Sequence, residues 1–166
     1  MRVYLPTTFP RLAAAVAAGS FGPPPLHAYA VTPALREWYA SGDSEELEFA
    51  AMADAARECL RLLAADPAAP PRRVVVAVDV ADAAVSLASD LHEAAVFLAT
   101  SVAATDVASV LVDDPEAEAD IRAAVAAVSA ADGGDADAAF VVDGAEDHDL
   151  HWYATQEIAA LLADMS

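Results

Sequence analysis

The feature that most constrains this chain is a repeated device: a short β-rich run, then a Thr or Asp, then a helical pattern. A hydroxyl or carboxylate at that junction accepts the free N–H groups of the first helical turn. Residues 2–5 lead into Thr7 and Thr8 and then Leu12, Ala15 and Val16, with Gly19 as the stop. Residues 27–31 lead into Thr32, with Pro33 at the first helical position, where a missing N–H costs nothing. Residues 109–112 lead into Asp113-Asp114-Pro115, and Glu116 and Glu118 fall in the first turn, where the helix dipole favours anions. Residues 149–154 lead into Thr155 and an apolar tail of Ile158, Leu161 and Leu162.

Periodicity supplies the bodies of two helices. Over 43–65, Phe49, Met52, Ala56, Cys59, Leu60 and Leu63 share one face, Asp54, Arg57, Glu58 and Arg61 the other, and Leu47 is the exception. Over 116–130, Ile121, Ala124, Val125 and Val128 form a stripe opposed by Glu118, Asp120 and Arg122. Both predict helices lying on a sheet with one wet side. The continuous apolar run 74–78 predicts a strand covered on both faces, at the centre of that sheet. A further strand is expected over 94–99, with a helical turn at Thr105-Asp106, and 132–137 reads as an exposed acidic loop. Pro23-Pro24-Pro25 and Pro70-Pro71 read as stiff, extended spacers. The expected fold is an α/β or α+β sandwich. One mixed sheet of about five or six strands carries packed helices, with a ferredoxin-like order as the alternative. The 166 residues form a single domain, 1–166.

Charge bounds the partners. There are 27 Asp plus Glu against 8 Lys plus Arg, a formal net charge of −19, and every basic residue is arginine. Nucleic acid and anionic membrane surfaces are repelled by such a field, because binding them requires clustered Lys and Arg. No apolar stretch is long enough for a membrane span, and Met1 to Pro6 reads as a strand rather than a signal peptide, so the expected location is cytoplasmic. The single cysteine, Cys59, sits on an apolar helix face and reads as a structural thiol. The scarcity of residues with A/T-rich codons points to a high-G+C genome.

Candidate chemistry is sparse. Glu146-Asp147-His148-Asp149-Leu150-His151 mixes imidazole and carboxylate, the donors that suit zinc. A strand from Asp149 would split its two histidines, leaving a solvated turn. A second metal candidate sets Asp79, after the central strand, beside Asp113 and Asp114; neighbouring strand ends would let these carboxylates hold Mg2+ for hydrolysis or phosphotransfer. No glycine-rich phosphate loop, nucleophile elbow or dinucleotide fingerprint occurs, and no cofactor is expected. Arg36, Trp38 and Tyr39, with Trp152 in the echo Trp152-Tyr153-Ala154-Thr155, are residue types enriched at binding surfaces. The plainer alternative is that Trp38 and Tyr39 plug the edge of a core short of large side chains.

Met1-Arg2-Val3-Tyr4-Leu5-Pro6, Thr32-Pro33-Ala34-Leu35-Arg36-Glu37-Trp38-Tyr39, Val74-Val75-Val76-Ala77 with Asp79-Val80, and Val142 to His148 with Trp152-Tyr153 resemble a small family of actinobacterial proteins known as a domain of unknown function. The resemblance spans nearly the whole chain and implies a bacterial, high-G+C source; it implies no activity or catalytic residue. The functional expectation is a non-catalytic interaction or regulatory domain whose acidic surface takes a basic protein partner. A homodimer through the Trp38 region or an edge strand is compatible with it. The alternative is a small divalent-metal-dependent hydrolase or phosphotransfer enzyme using the strand-end carboxylates.

Overall fold

The computed structural model describes residues 1–165. Strand β1 (Arg2–Thr7) buries both faces and ends at Thr8, whose side chain accepts the Arg11 N–H at 3.4 Å and so opens α1 (Phe9–Ala18). Gly19 closes α1 at φ 85°, a left-handed conformation that glycine adopts without a Cβ penalty. A short β2 (Ser20–Phe21) precedes β3 (Leu26–Ala30). Thr32 then caps α2 (Pro33–Trp38): its hydroxyl accepts the Leu35 N–H at 3.1 Å and donates to the Glu93 carbonyl. Asp43 caps α3 (Ser44–Ala65) through the Glu46 N–H at 2.9 Å. The strands β4 (Val74–Asp79), β5 (Val85–Leu87), β6 (Ala95–Leu98), β7 (Val102–Ala103) and β8 (Val107–Asp113) follow. After them come α4 (Glu118–Asp132), α5 (Ala136–Asp143), β9 (Leu150–Ala154) and α6 (Ile158–Asp164).

Seven strands form one sheet in the order β5-β6-β3-β1-β4-β8-β9, and β2 pairs with β7 in a separate two-stranded ribbon. Helices cover both faces. On one side Val3, Leu5, Val74, Val76 and Val78 meet Phe9, Leu12 and Ala15 of α1 and Ile158 and Leu161 of α6. On the other, Tyr4, Tyr29, Val75 and Ala77 meet Leu35 of α2 and Leu47, Ala51, Ala55 and Cys59 of α3. A third cluster joins Leu60 and Leu63 of α3 to Ile121, Ala124 and Val128 of α4 and Val142 of α5. The run 74–78 is thus buried throughout and lies between β1 and β8, as its unbroken apolarity predicts. No helix is long and apolar enough to cross a membrane, among the described residues.

The helix-on-sheet architecture holds, with particulars that differ from the sequence expectation. All pairings of the large sheet are antiparallel and it has seven strands, where a mixed sheet of five or six was expected. Strand–helix alternation suits parallel crossovers, but the chain after α1 reverses through β2 and the proline loop, so β3 returns antiparallel beside β1. That direct pairing also departs from a ferredoxin-like order, where a third strand separates those two. In α3 the phase differs: Leu47 is buried and Phe49 is 60% exposed. Leu47, Ala51, Ala55 and Cys59 lie four residues apart and form one stripe, which Phe49 cannot share. The acidic stretch 132–137 is only partly a loop, because Asp135 caps α5 through the Ala138 N–H at 2.8 Å. The Pro23–Pro25 connector, expected as a plain extended spacer, contains two cis peptide bonds.

Candidate functional site

The site is built around a buried ion pair at the end of β8. Asp113 is fully buried, and its carboxylate accepts the Arg73 backbone N–H and Nε–H at Oδ2 and an Nη2–H at Oδ1, all at 2.8 Å. The same Nη2 donates to the His148 carbonyl at 2.9 Å, which fixes the chain just before β9. Arg72 donates from Nε to the Asp113 carbonyl at 2.9 Å and lies over the Phe9 ring, 5.2 Å from its centroid. Charges taken out of water are tolerable when their remaining donors and acceptors are met in this way.

Above this pair lies a cleft of about 400 Å3 between the first half of α3 and the approach to β9. Tyr39, Glu46, Phe49, Asp54, Glu146 and Asp149 are the prominent side chains of its lining, with His148 and the buried Arg73 at its base. Tyr39 is 47% and Phe49 60% exposed, and Trp38, the residue before Tyr39, is 68% exposed. They therefore form a surface rather than plugging a core edge. Asp54 is the most perturbed group here. Burial raises its carboxyl to about 6; His92, with Nδ1 at 3.7 Å, pulls it down, and Glu93 and Glu146 push it up. Arg57 offsets part of the acidity by reaching Asp143 at 2.9 Å and Glu146 at 3.4 Å.

Of the residues singled out in the sequence, the fold brings Tyr39, Glu146, His148 and Asp149 to this cleft. His148 Nε2 lies 2.7 Å from Asp120 Oδ2, tying the base of the cleft to α4. His151 Nε2 is 3.8 Å from Asp114, whose side chain is engaged in capping the turn at Pro115 through the Glu116 N–H at 2.9 Å. Trp152 is 63% exposed on the edge strand β9, and Arg36 lies exposed in the last turn of α2. Asp79 and Asp113 sit on neighbouring strands, but the pairing is antiparallel, so they lie at opposite ends, roughly 20 Å apart at the rise of a strand. Asp79 instead receives Nε and Nη2 of Arg2 at 2.8 and 3.0 Å, and this guanidinium holds its carboxyl below the ordinary range. Among the described residues no group of three or more His, Cys, Asp and Glu side chains is placed to hold a metal ion. Cys59 donates to the Val74 carbonyl at 3.1 Å, and burial pushes its thiol up to about 12, as suits a structural residue.

Glu46, Phe49 and Asp54 carry no site role in the sequence pattern, which sets Phe49 on the buried face of the helix and Asp54 on its wet one. The signal was available in α3: Phe49 is out of step with Leu47, Ala51 and Ala55, so a large ring had to face outward among carboxylates. What the cleft can do chemically follows from its groups. Carboxylates and exposed rings together suit an organic cation, through ion pairing and the negative faces of the aromatic rings.

Neither a curated protein nor a solved structure matches the chain. A family model does, over residues 1–162, a span that takes in the whole sheet, the Arg73–Asp113 pair and every residue lining the cleft. The chain therefore belongs to the family of unknown function DUF6912.

Proposed function

We propose that this protein is a non-catalytic interaction domain that takes a basic segment of a partner protein in the cleft between α3 and β9. One observation carries the reading: four carboxylates, Glu46, Asp54, Glu146 and Asp149, line a single cleft with Tyr39 and Phe49. The one arginine in that lining, Arg73, is spent on Asp113. An Arg or Lys side chain entering there gains an ion pair and a ring face to cover, while the net charge of −19 draws basic partners from a distance. Trp38, exposed and next in the chain to Tyr39, adds an aromatic side chain to the same surface. Because Asp54 is partly protonated below about pH 6, the capture strengthens as pH rises through that value.

The test is fluorescence anisotropy with a labelled hexa-arginine peptide. Two double variants lose equal charge: Asp54→Asn with Asp149→Asn inside the cleft, and Asp137→Asn with Asp164→Asn outside it. The cleft variant is expected to weaken binding about tenfold, equivalent to about 1.4 kcal/mol, and the outer variant by much less. Equal weakening by both would reduce the interaction to diffuse attraction and sink the cleft as its seat.

A further inference from the structure

A larger cleft lies elsewhere, and its chemistry is the opposite. A cleft of about 570 Å3 rounds the end of the sheet where β1 leaves and β3 begins, and it shares no lining residue with the acidic cleft. Its walls are mainly apolar: Leu5, Phe21, Pro23, Pro25, Leu26 and Leu62. One face is a strip of α1 carrying Arg11, Ala14 and Ala18. The proline loop runs close to Ser101 at Gly22, where an added Cβ would meet Ser101 Oγ at 2.8 Å and turn that hydroxyl aside.

Two polar groups among the lining residues have side-chain nitrogens without a partner. Arg2, Arg57, Arg61 and Arg73 each hold a carboxylate and Arg72 holds a carbonyl, whereas Arg11, Arg36 and Arg122 hold neither among the described residues, and of these three Arg11 lines this cleft. Arg11 has no carboxylate within ion-pair distance among the described residues, although Glu58 lines the same cleft; Glu58 accepts from Arg61 at 2.7 Å instead. The second group is His27. Its ring packs against Tyr29 and Phe97, with centroids 4.9 and 5.3 Å away, and its Nε2 is buried without a hydrogen-bond partner. Unsatisfied buried nitrogens are uncommon enough to require an explanation.

We infer that this cleft is a binding site for a small amphipathic monoanion, an apolar body carrying one carboxylate or sulfonate. Arg11 meets the anionic head, and Phe21, Leu26, Leu62 and the two prolines cover the apolar body. The volume lies within the range of small-molecule pockets, and an apolar lining with few polar groups is their usual make-up. Burial lowers the proton affinity of His27, so its imidazole adds no second charge, and a singly charged ligand matches the one guanidinium that lines the cleft. A dianion such as a phosphate monoester would be left with half its charge uncompensated in a strongly acidic protein.

The probe is anilinonaphthalene sulfonate, which is an aromatic body bearing one anionic group and fluoresces when shielded from water. Its control is phenylnaphthylamine, the same body without the sulfonate. Titrations are run at an ionic strength that screens the net charge. The wild-type protein is expected to bind the sulfonate saturably. Arg11→Gln, an exposed substitution on α1, should raise the sulfonate dissociation constant about tenfold and leave the neutral probe unchanged. Ala14→Trp, also on the exposed surface, should fill the cleft and abolish binding of both, while circular dichroism shows both variants folded. Absence of saturable binding, sulfonate binding that survives Ala14→Trp, or an Arg11→Gln effect that is nil or equal for the two probes would each overturn the assignment.

Discussion

Arg73 and Asp113 are the residues on which the region around the cleft depends most. The pair is buried, at 4% and 0% side-chain exposure, and it joins the start of β4, the end of β8 and the chain entering β9. Removing one partner leaves the other charge buried and alone, so Arg73→Leu or Asp113→Leu should each cost about 3–5 kcal/mol in urea unfolding. Replacing both together, as Arg73→Met with Asp113→Leu, should recover much of that loss, because two desolvation costs disappear along with the attraction. Asp54 behaves in the opposite sense. Its carboxyl titrates at about 6 in the folded protein, against an ordinary value near 4 in the unfolded chain. The folded state binds the proton more tightly between those values. The resulting stability is therefore present below about pH 4 and lost as pH rises through 6. Asp54→Asn fixes the neutral form. It should raise stability at about pH 8 by on the order of 1 kcal/mol, discounted for partial exposure, with little effect at about pH 3. Thermal melts at both pH values check the sign.

At the scale of elements, the phase of α3 decides which side chains carry the fold and which carry the surface. Leu47→Ala, in the sheet-facing stripe, should cost about 2–5 kcal/mol, whereas Phe49→Ala, two residues on, should fall within about 0.5 kcal/mol. Equal losses in a denaturant series would mean that the helix is rotated from the orientation described. Three of the four capped junctions were legible in the sequence: Thr8 and Gly19 around α1, Thr32 with Pro33 before α2, and Asp114 with Pro115 before α4 are in use, whereas Thr155 caps nothing and the Glu157 side chain takes the Ala154 N–H before α6. Each is a local arrangement of donors and acceptors that the chain specifies within four residues. α5 was not legible, because Val142 is its only buried side chain and its stability comes from packing against α4 and α3 rather than from a stripe of its own. Strand direction was not legible either, since the reversal before β3 runs through a proline loop with no periodicity to read. The acidic cleft was half legible: Tyr39, Glu146, His148 and Asp149 stood out as residue types, but their meeting with Asp54 depends on long-range packing.

The whole molecule carries a net charge of −19 on a single compact sheet and its helices, so its folded state is strained by self-repulsion that the expanded chain relieves. The melting midpoint should therefore rise when sodium chloride is increased from about 20 mM to about 500 mM, as the Debye length falls from roughly 20 Å to under 5 Å. A flat response would mean that ion pairs such as Arg61 with Asp132 and Glu58 already balance the field locally. Sheet order also has a consequence in time. β1 lies inside the sheet, and as the chain leaves the ribosome β3 joins it on one side, β4 on the other, then β6, β8 and β9 extend the two flanks. Each new strand meets a neighbour already made; β5 alone must wait, for β6. The sheet thus grows outward from its middle in the order of synthesis. A chain halted before residue 107 would present β4, its most apolar strand, as an open edge, and the arrival of β8 is the moment at which the growing protein ceases to be a template for its neighbours.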